Sequence, residues 1–198
     1  MYNLVYIFFF KINFTIKINI NKTIIMMRFG IFITAFLSIL ITSCKSSKAA
    51  DFKESMNQFE RRAFEITIGK EGPGEKKLNC LIKEDYEGAL KAVDQQSKEF
   101  DMLITDIKKL ATQDIPKGES LKTASFEYYQ ALKELHVFDR KEIEQQALLK
   151  TLKNDKLKDG LNNIMTLAKQ KKLLYDAVFK KEALLHAANK NFETANGL

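Results

Sequence analysis

The sequence is poor in glycine, proline, cysteine and histidine, and each shortage excludes a class of protein. Only 8 Gly and 2 Pro occur in 198 residues, which argues against sandwiches, barrels and other folds that need frequent turns. The 2 Cys and 2 His are too few for a closed zinc site, a CxxCH haem attachment or a disulfide framework. The length fits one folded domain together with an export signal.

Acidic residues are absent from the first 44 positions, and this changes the meaning of the net charge of +7. That segment holds Lys11, Lys17, Lys22 and Arg28. Subtracting these four from 32 Lys+Arg leaves 28 basic against 25 acidic residues from Lys45 onward, a net charge of +3. A balance of +3, mixed in sign along every predicted helix, indicates an ordinary solvated surface and argues against a nucleic-acid partner.

An apolar run with a basic start predicts a secretory signal near the amino terminus. Arg28 precedes the uncharged run 29–40, which leads into the tetrapeptide ITSC at 41–44 and then into a polar stretch of Ser and Lys. Counted on to Ser43, the uncharged stretch has about 15 residues, which is short for a membrane span of roughly 20. We therefore expect 27–43 to be a signal peptide and 44–50 to be a modified cysteine and its tether.

The tetrapeptide at 41–44 resembles the bacterial lipobox, in which an aliphatic residue and two small residues precede an invariant cysteine. The resemblance implies that Cys44 is lipidated on sulfur, that the chain is cut before it and that the new amine is acylated. The chemistry suits the residue, because a thiolate is the natural nucleophile for alkyl transfer. The alternative is a plain signal peptide or membrane anchor that happens to contain Cys44.

The segment 1–26 fits this interpretation poorly. Its first twenty residues are almost all Phe, Ile, Asn, Lys and Tyr, whose codons are rich in A and T. We interpret 1–26 as translated upstream DNA, with Met27 or Met26 as the true start. The alternative is a genuine second apolar segment that Lys11 and Lys17 interrupt.

Apolar residues recur at alternating spacings of three and four along the rest of the chain, which predicts α-helices. A first helix of about four turns is predicted from Phe52 to Ile66. The stretch GKEGPG at 69–74 ends it, because three Gly and a Pro within six residues cannot continue a helix. We expect a loop from there to Ile82.

Three longer helices are predicted after this loop. The second covers about 86–111 and ends before Pro116, since the residue before a proline is pushed out of the α region. The third follows Gly118 and continues to about 152. The fourth begins near Asp155 and carries its apolar stripe to Phe192.

Helices of this length, joined by short connections, must run antiparallel to bury their stripes. We therefore predict an all-α fold, an antiparallel up-down four-helix bundle over 51–198, after a lipoprotein signal peptide. A single extended coiled coil is the alternative. The stripes are wider than a coiled-coil seam, and the Pro and Gly breaks fall where hairpin turns are needed.

Few residues of the predicted bundle point to chemistry. Neither histidine completes the Glu-x-x-His unit of di-iron bundles. Glu182 and His186 lie four residues apart on one helix face and could together bind a metal ion. Met56 on the first helix and His186 on the last could serve as the two axial ligands of a haem. We interpret these residues as surface and core side chains, and we predict no catalytic residue, metal ligand or cofactor.

Three further residues have open interpretations. Cys80 would be the only free thiol of the exported chain, either available for an intermolecular disulfide or buried as a small apolar residue beside Leu81. Phe126 and Tyr129 fall off the main stripe of the third helix and would suit a partner face. The alternative is that this helix packs on two neighbours and needs a second apolar face.

Four features follow one another along the chain: the lipobox, the motif EDYEGA at 84–89, the motif FEYYQ at 126–130 and the long last helix. Their order is similar to that in a family of small helical surface lipoproteins from leptospires and Bacteroidetes. The likeness spans most of 51–194. It implies a bundle tethered to the cell envelope and no established activity, and it supplies no catalytic residues. The Gly-rich stretch 69–74 and Cys80 depart from the family pattern.

Together these features predict a membrane-anchored cell-envelope lipoprotein, on the periplasmic face or the cell surface, with a non-enzymatic binding or structural role. Its partners would be the lipid bilayer, through Cys44, and an envelope protein. Two other functions stay open. One is a metal, haem or small-ligand carrier built in the bundle core. The other is a regulatory or inhibitory lipoprotein that binds a protein through Phe126 and Tyr129.

Overall fold

The computed structural model describes residues 48–153 and 155–198, and these residues form helices and no strand. The predicted all-α helical bundle is confirmed. The signal segment and Cys44 lie outside the described residues. In chain order the described helices are α1 over 48–68, α2 over Pro73–Ile82, α3 over Tyr86–Lys109, α4 over Gly118–Leu149 and α5 over Asp155–Asn196.

Helices α1 and α2 together form the first rod of the bundle, because both run antiparallel to α3. Arg62 of α1 pairs at 2.9 Å with Asp106 near the end of α3. Lys77 of α2 lies 3.2 Å from the Gln96 amide oxygen in the middle of α3. Contacts of α3 with α4 and of α4 with α5 complete four rods that alternate in direction.

The prediction of a loop as far as Ile82 is wrong. Only residues 69–72 interrupt the helical rod, and α2 begins at Pro73. Proline is accepted at the first position of a helix, where its missing N–H has no intrahelical partner. Gly74 permits close packing at this break, since a Cβ there would lie 1.9 Å from the Thr67 carbonyl oxygen. The glycines therefore bend the rod instead of replacing it with a loop.

The folded unit begins earlier than predicted. Residues 48–50, expected to belong to the tether, are helical, and Ala49 is only 1% exposed. The compact unit accordingly runs from Lys48 to Leu198. At the start of α3 the Asp85 carboxylate accepts a hydrogen bond from the Gly88 N–H at 2.9 Å and so caps the helix.

Two apolar clusters form the core, and they are separated along the rods by polar side chains. The larger contains Phe52, Met56, Phe59, Phe100, Leu103, Ile107, Leu121, Tyr129 and Phe192. The smaller is built on Ala89, Val93 and Ile143. Between the two, α3 places the buried Gln96 and α4 places Asp139.

Candidate functional site

A cavity of about 390 Å³ lies between α1, α4 and α5. Its apolar lining consists of Met56, Ala63, Phe64, Leu121, Leu132 and Leu185. Its polar lining includes carboxylates, phenols and amides from all three helices. The combination of an apolar surface with a few converging polar groups is typical of sites for small organic ligands, and the volume falls in their range.

Lys53 lies at one end of the cavity with its charge already paired. Its ammonium bonds to the Asn189 side-chain oxygen and lies 2.9 Å from the Glu193 carboxylate. Hydrogen bonds from Lys53 and Asn189 hold the pKa of Glu193 below its ordinary value. Lys53 therefore adds little net positive charge to the cavity.

Two carboxylates, Glu60 of α1 and Glu182 of α5, line the cavity. Neither forms a salt bridge with any residue that the structure describes. Burial, together with the charges of Glu182 and Glu60, raises the pKa of the Tyr128 hydroxyl. Both negative charges thus act on the same part of the cavity.

Tyr129 is 5% exposed and lines the cavity with Tyr128, their ring centroids 5.0 Å apart in an edge-on arrangement. Its hydroxyl has no hydrogen-bond partner among the described residues, and burial, Glu60 and Tyr128 raise its pKa. Phe126 is partly buried against the core, with the Lys108 ammonium 4.7 Å from its ring centre. Tyr129 is therefore a core residue and not part of an exposed partner face, because α4 packs on two neighbours.

Met56, Glu182 and His186, the residues considered for metal or haem, also line the cavity. The Ser125 hydroxyl lies 3.5 Å from the Met56 sulfur and donates to the Leu121 carbonyl at 2.8 Å. Over the described ranges, no group of three or more His, Cys, Asp or Glu side chains is arranged to hold a metal ion.

A second constellation, here called the polar network, joins the helices between the two apolar clusters. Lys77 of α2 pairs with Asp139 of α4. Lys171 of α5 lies 2.8 Å from the same aspartate and 2.5 Å from Glu142. The Gln96 amide donates to the Ile66 carbonyl at 3.1 Å, which connects α1 as well. The network thus links residues from every described helix.

Opposing effects set the charge states of the polar network. Burial alone would raise the pKa of Asp139, but Lys77 and Lys171 hold it below its ordinary value. Burial likewise opposes the charge of Lys171, and hydrogen bonds to Asp139 and Glu142 raise its pKa. His136 stacks on Phe100 beside the network, and burial and Lys77 lower its pKa to about 4. Asp139 and Lys171 are therefore charged at neutral pH, and His136 is neutral.

Cys80 lies on α2 and not in a loop. Its free thiol is half buried and packs against the cluster of Ala89, Val93 and Ile143. A Cβ at Gly88 would come within 2.8 Å of the Cys80 sulfur, so α2 and the first turn of α3 lie close together there. This environment supports burial as a small apolar residue, and an intermolecular disulfide stays a prediction.

Several large apolar side chains form an exposed stripe on the first two thirds of α5. Their exposed fractions run from 38% for Leu157 to 62% for Phe179, with Leu161, Met165 and Tyr175 between them. Helix α4 packs along α5. The exposed stripe is therefore a face of α5 that stays open to solvent in the part of the chain that the structure describes.

Comparison of the chain with protein-family models, curated proteins and solved structures finds no match. The resemblance to small helical surface lipoproteins accordingly stays a prediction. Among the helices that the structure describes, none combines the length and hydrophobicity that a membrane crossing requires.

Proposed function

We propose that this protein is a membrane-anchored lipoprotein of the cell envelope, attached through Cys44, whose helical bundle is a non-enzymatic binding element. The observation that carries the proposal is the position of Cys44. It ends an apolar run, and only Lys45, Ser46 and Ser47 separate it from the compact unit that begins at Lys48. Such a cysteine is placed to be a lipid attachment point directly before a folded domain.

Lipid on Cys44 would hold the bundle close to the bilayer. Each buried CH₂ of an acyl chain contributes about 0.8 kcal/mol, so one chain binds reversibly and several together give stable attachment. A fully extended tether of three residues spans roughly 11 Å. The end of the bundle that begins at Lys48 would therefore lie near the membrane surface.

The cavity supports a binding role over a catalytic one. A serine nucleophile needs an adjacent base to activate it. The Ser125 hydroxyl instead donates to the Leu121 carbonyl of its own helix at 2.8 Å. The Thr67 hydroxyl donates in the same way to the Ala63 carbonyl at 2.8 Å. The serine and threonine hydroxyls that line the cavity thus donate to backbone carbonyls, while the carboxylates and the tyrosine hydroxyls are available to a ligand.

The two cysteines of the chain provide a matched test of anchoring. Cells that produce the full chain would be grown with labelled palmitate, comparing wild type with Cys44→Ala and Cys80→Ala. We expect label in the wild type and in Cys80→Ala, and neither label nor firm membrane attachment in Cys44→Ala. Retention of label or of membrane attachment by Cys44→Ala would contradict the proposal.

A further inference from the structure

We propose that the cavity between α1, α4 and α5 binds a small amphipathic organic cation, an alkylammonium whose charged group lies between Glu60 and Glu182. The proposal rests on the binding role given to the bundle and specifies its ligand class. It does not depend on lipidation of Cys44.

The charge of the cavity selects for a cation. Glu60 and Glu182 contribute two negative charges, and neither is paired with a described residue. Lys53 is neutralised by Glu193 at 2.9 Å, and the neighbouring Lys181 lies 2.8 Å from Glu127. Glu60 is exposed and Glu182 is partly exposed, so both keep their water when no ligand is bound. The two carboxylates would repel an anion, whereas a cation would gain an ion pair that a neutral ligand cannot form.

The two tyrosines add a second preference for an ammonium group. Aromatic faces attract cations, most strongly where water is excluded. The Tyr129 side chain is 95% buried, and its hydroxyl, which has no hydrogen-bond partner among the described residues, is accessible in the cavity and can accept a hydrogen bond from a ligand. An ammonium N–H donates to a phenol oxygen as well as to carboxylates, so one charged group serves both kinds of side chain.

The apolar lining requires that the cation carry a hydrocarbon portion. Met56 and Ala63 of α1, Leu121 and Leu132 of α4, and Leu185 of α5 form this surface. A bare metal ion would leave this surface in contact with water, whereas an alkyl chain would cover it, and burial of apolar surface favours binding. The cavity therefore fits a ligand with one charged end and one apolar end.

The direct test is isothermal titration calorimetry of the full chain in a nonionic detergent, with hexylammonium as the probe. Hexanoate and hexanol, which have the same chain length, are matched controls for charge. Titration of protein-free detergent provides the background heat. We expect saturable one-to-one binding of hexylammonium and binding of hexanoate and hexanol at least tenfold weaker, since charge-assisted hydrogen bonds would be lost.

Charge-neutral variants locate the binding. We expect Glu60→Gln and Glu182→Gln each to weaken hexylammonium binding about tenfold and Tyr129→Phe about threefold. Glu54→Gln, which removes the same charge from an exposed position of α1 outside the cavity, would leave the affinity unchanged. The melting temperature of each ligand-free variant shows that the loss is not due to unfolding.

Three results would overturn the proposal: no saturable heat with hexylammonium, hexanoate binding as tight as hexylammonium binding, or unchanged affinity in both Glu60→Gln and Glu182→Gln. These outcomes are distinguishable from failure of the anchoring proposal. Loss of palmitate labelling concerns Cys44 alone, whereas loss of hexylammonium binding concerns the cavity in a chain that is still anchored.

Discussion

Lys171 in the middle of α5 lies 2.8 Å from the Asp139 carboxylate of α4, and both side chains are largely buried. Lys77 of α2 pairs with the same carboxylate. Removing such charges from water costs free energy that the pairing recovers only with good geometry. We expect the polar network to act mainly on specificity, because only one alignment of the rods brings both lysines to this aspartate.

Asp139→Asn should therefore be strongly destabilising. It leaves Lys77 and Lys171 buried without their shared charge, and breaking a buried ion pair costs about 3 kcal/mol or more. Asp101→Asn is the matched control, because Asp101 pairs with Lys133 at 2.6 Å while 59% exposed. Loss of an exposed pair costs about 1 kcal/mol or less. Urea unfolding measures both, and equal losses would contradict the role given to the network.

The free energy of unfolding should fall as the pH is lowered through the weakly acidic range. In the folded protein burial and Lys77 lower the pKa of His136 to about 4, against about 6.5 in an unfolded chain. Between these values the unfolded chain binds more protons than the folded one, so acid favours unfolding. The loss approaches roughly 3 kcal/mol near the lower value.

The two histidines make this pH dependence testable. His136→Gln should remove most of the difference in urea stability between pH 7.5 and 4.5, because no imidazole remains to take up the proton. His186→Gln, which changes an exposed residue, should keep that difference. A His136→Gln protein as acid-sensitive as wild type would show that another group is responsible.

Phe179 and Phe192 lie on the same helix with opposite environments, so their alanine variants should differ sharply. Phe192 is fully buried and stacks near Phe52 with ring centroids 5.4 Å apart, while Phe179 is 62% exposed. We expect a loss of about 3 to 5 kcal/mol for Phe192→Ala and of about 0.5 kcal/mol or less for Phe179→Ala. Thermal or urea unfolding of the two variants checks this, and a large loss for Phe179→Ala would mean that its face is covered.

Gly74→Ala should destabilise the break between α1 and α2. The added Cβ would lie 1.9 Å from the Thr67 carbonyl oxygen, a backbone atom that cannot rotate away. Such overpacking costs about 1 to 3 kcal/mol. Lys76→Ala, at an exposed position of α2, should change stability by about 0.5 kcal/mol or less. Equal stability of the two variants, measured by urea unfolding, would show that the bend tolerates a side chain.

The long helices were predictable because spacings of three and four in their apolar residues persist over many turns. Helix α2 is not predicted from the sequence, because the density of Gly and Pro at 69–74 argues against helix as far as Ile82. The structure uses Pro73 as a helix start and confines the break to 69–72. A proline ends a helix only when it would fall in the interior, and the sequence alone does not fix which position it takes.

The cavity was not predictable, because it depends on which faces of α1, α4 and α5 come together. The sequence contains one sign of it, because Lys171, Glu182 and Asn189 interrupt the otherwise apolar stripe of α5. Glu182 and Asn189 line the cavity, and Lys171 belongs to the polar network. The stripe alone does not show which of its polar residues face a cavity and which pair with another helix.

Because the four rods alternate in direction, the first and last residues of the folded unit, Lys48 and Leu198, lie at the same end of the bundle. Lys48 lies 3.7 Å from Asp114 in the α3–α4 connection, and Asn196 bonds to the Pro116 carbonyl in that same connection. The turns at the other end are joined by Lys150 and Glu84 at 2.6 Å. The 42 residues of α5 span about 63 Å. A dye attached beyond Leu198 and a dye in the α4–α5 turn would therefore label opposite ends of the bundle. The distance of each dye from a labelled bilayer would show how the bundle is tilted.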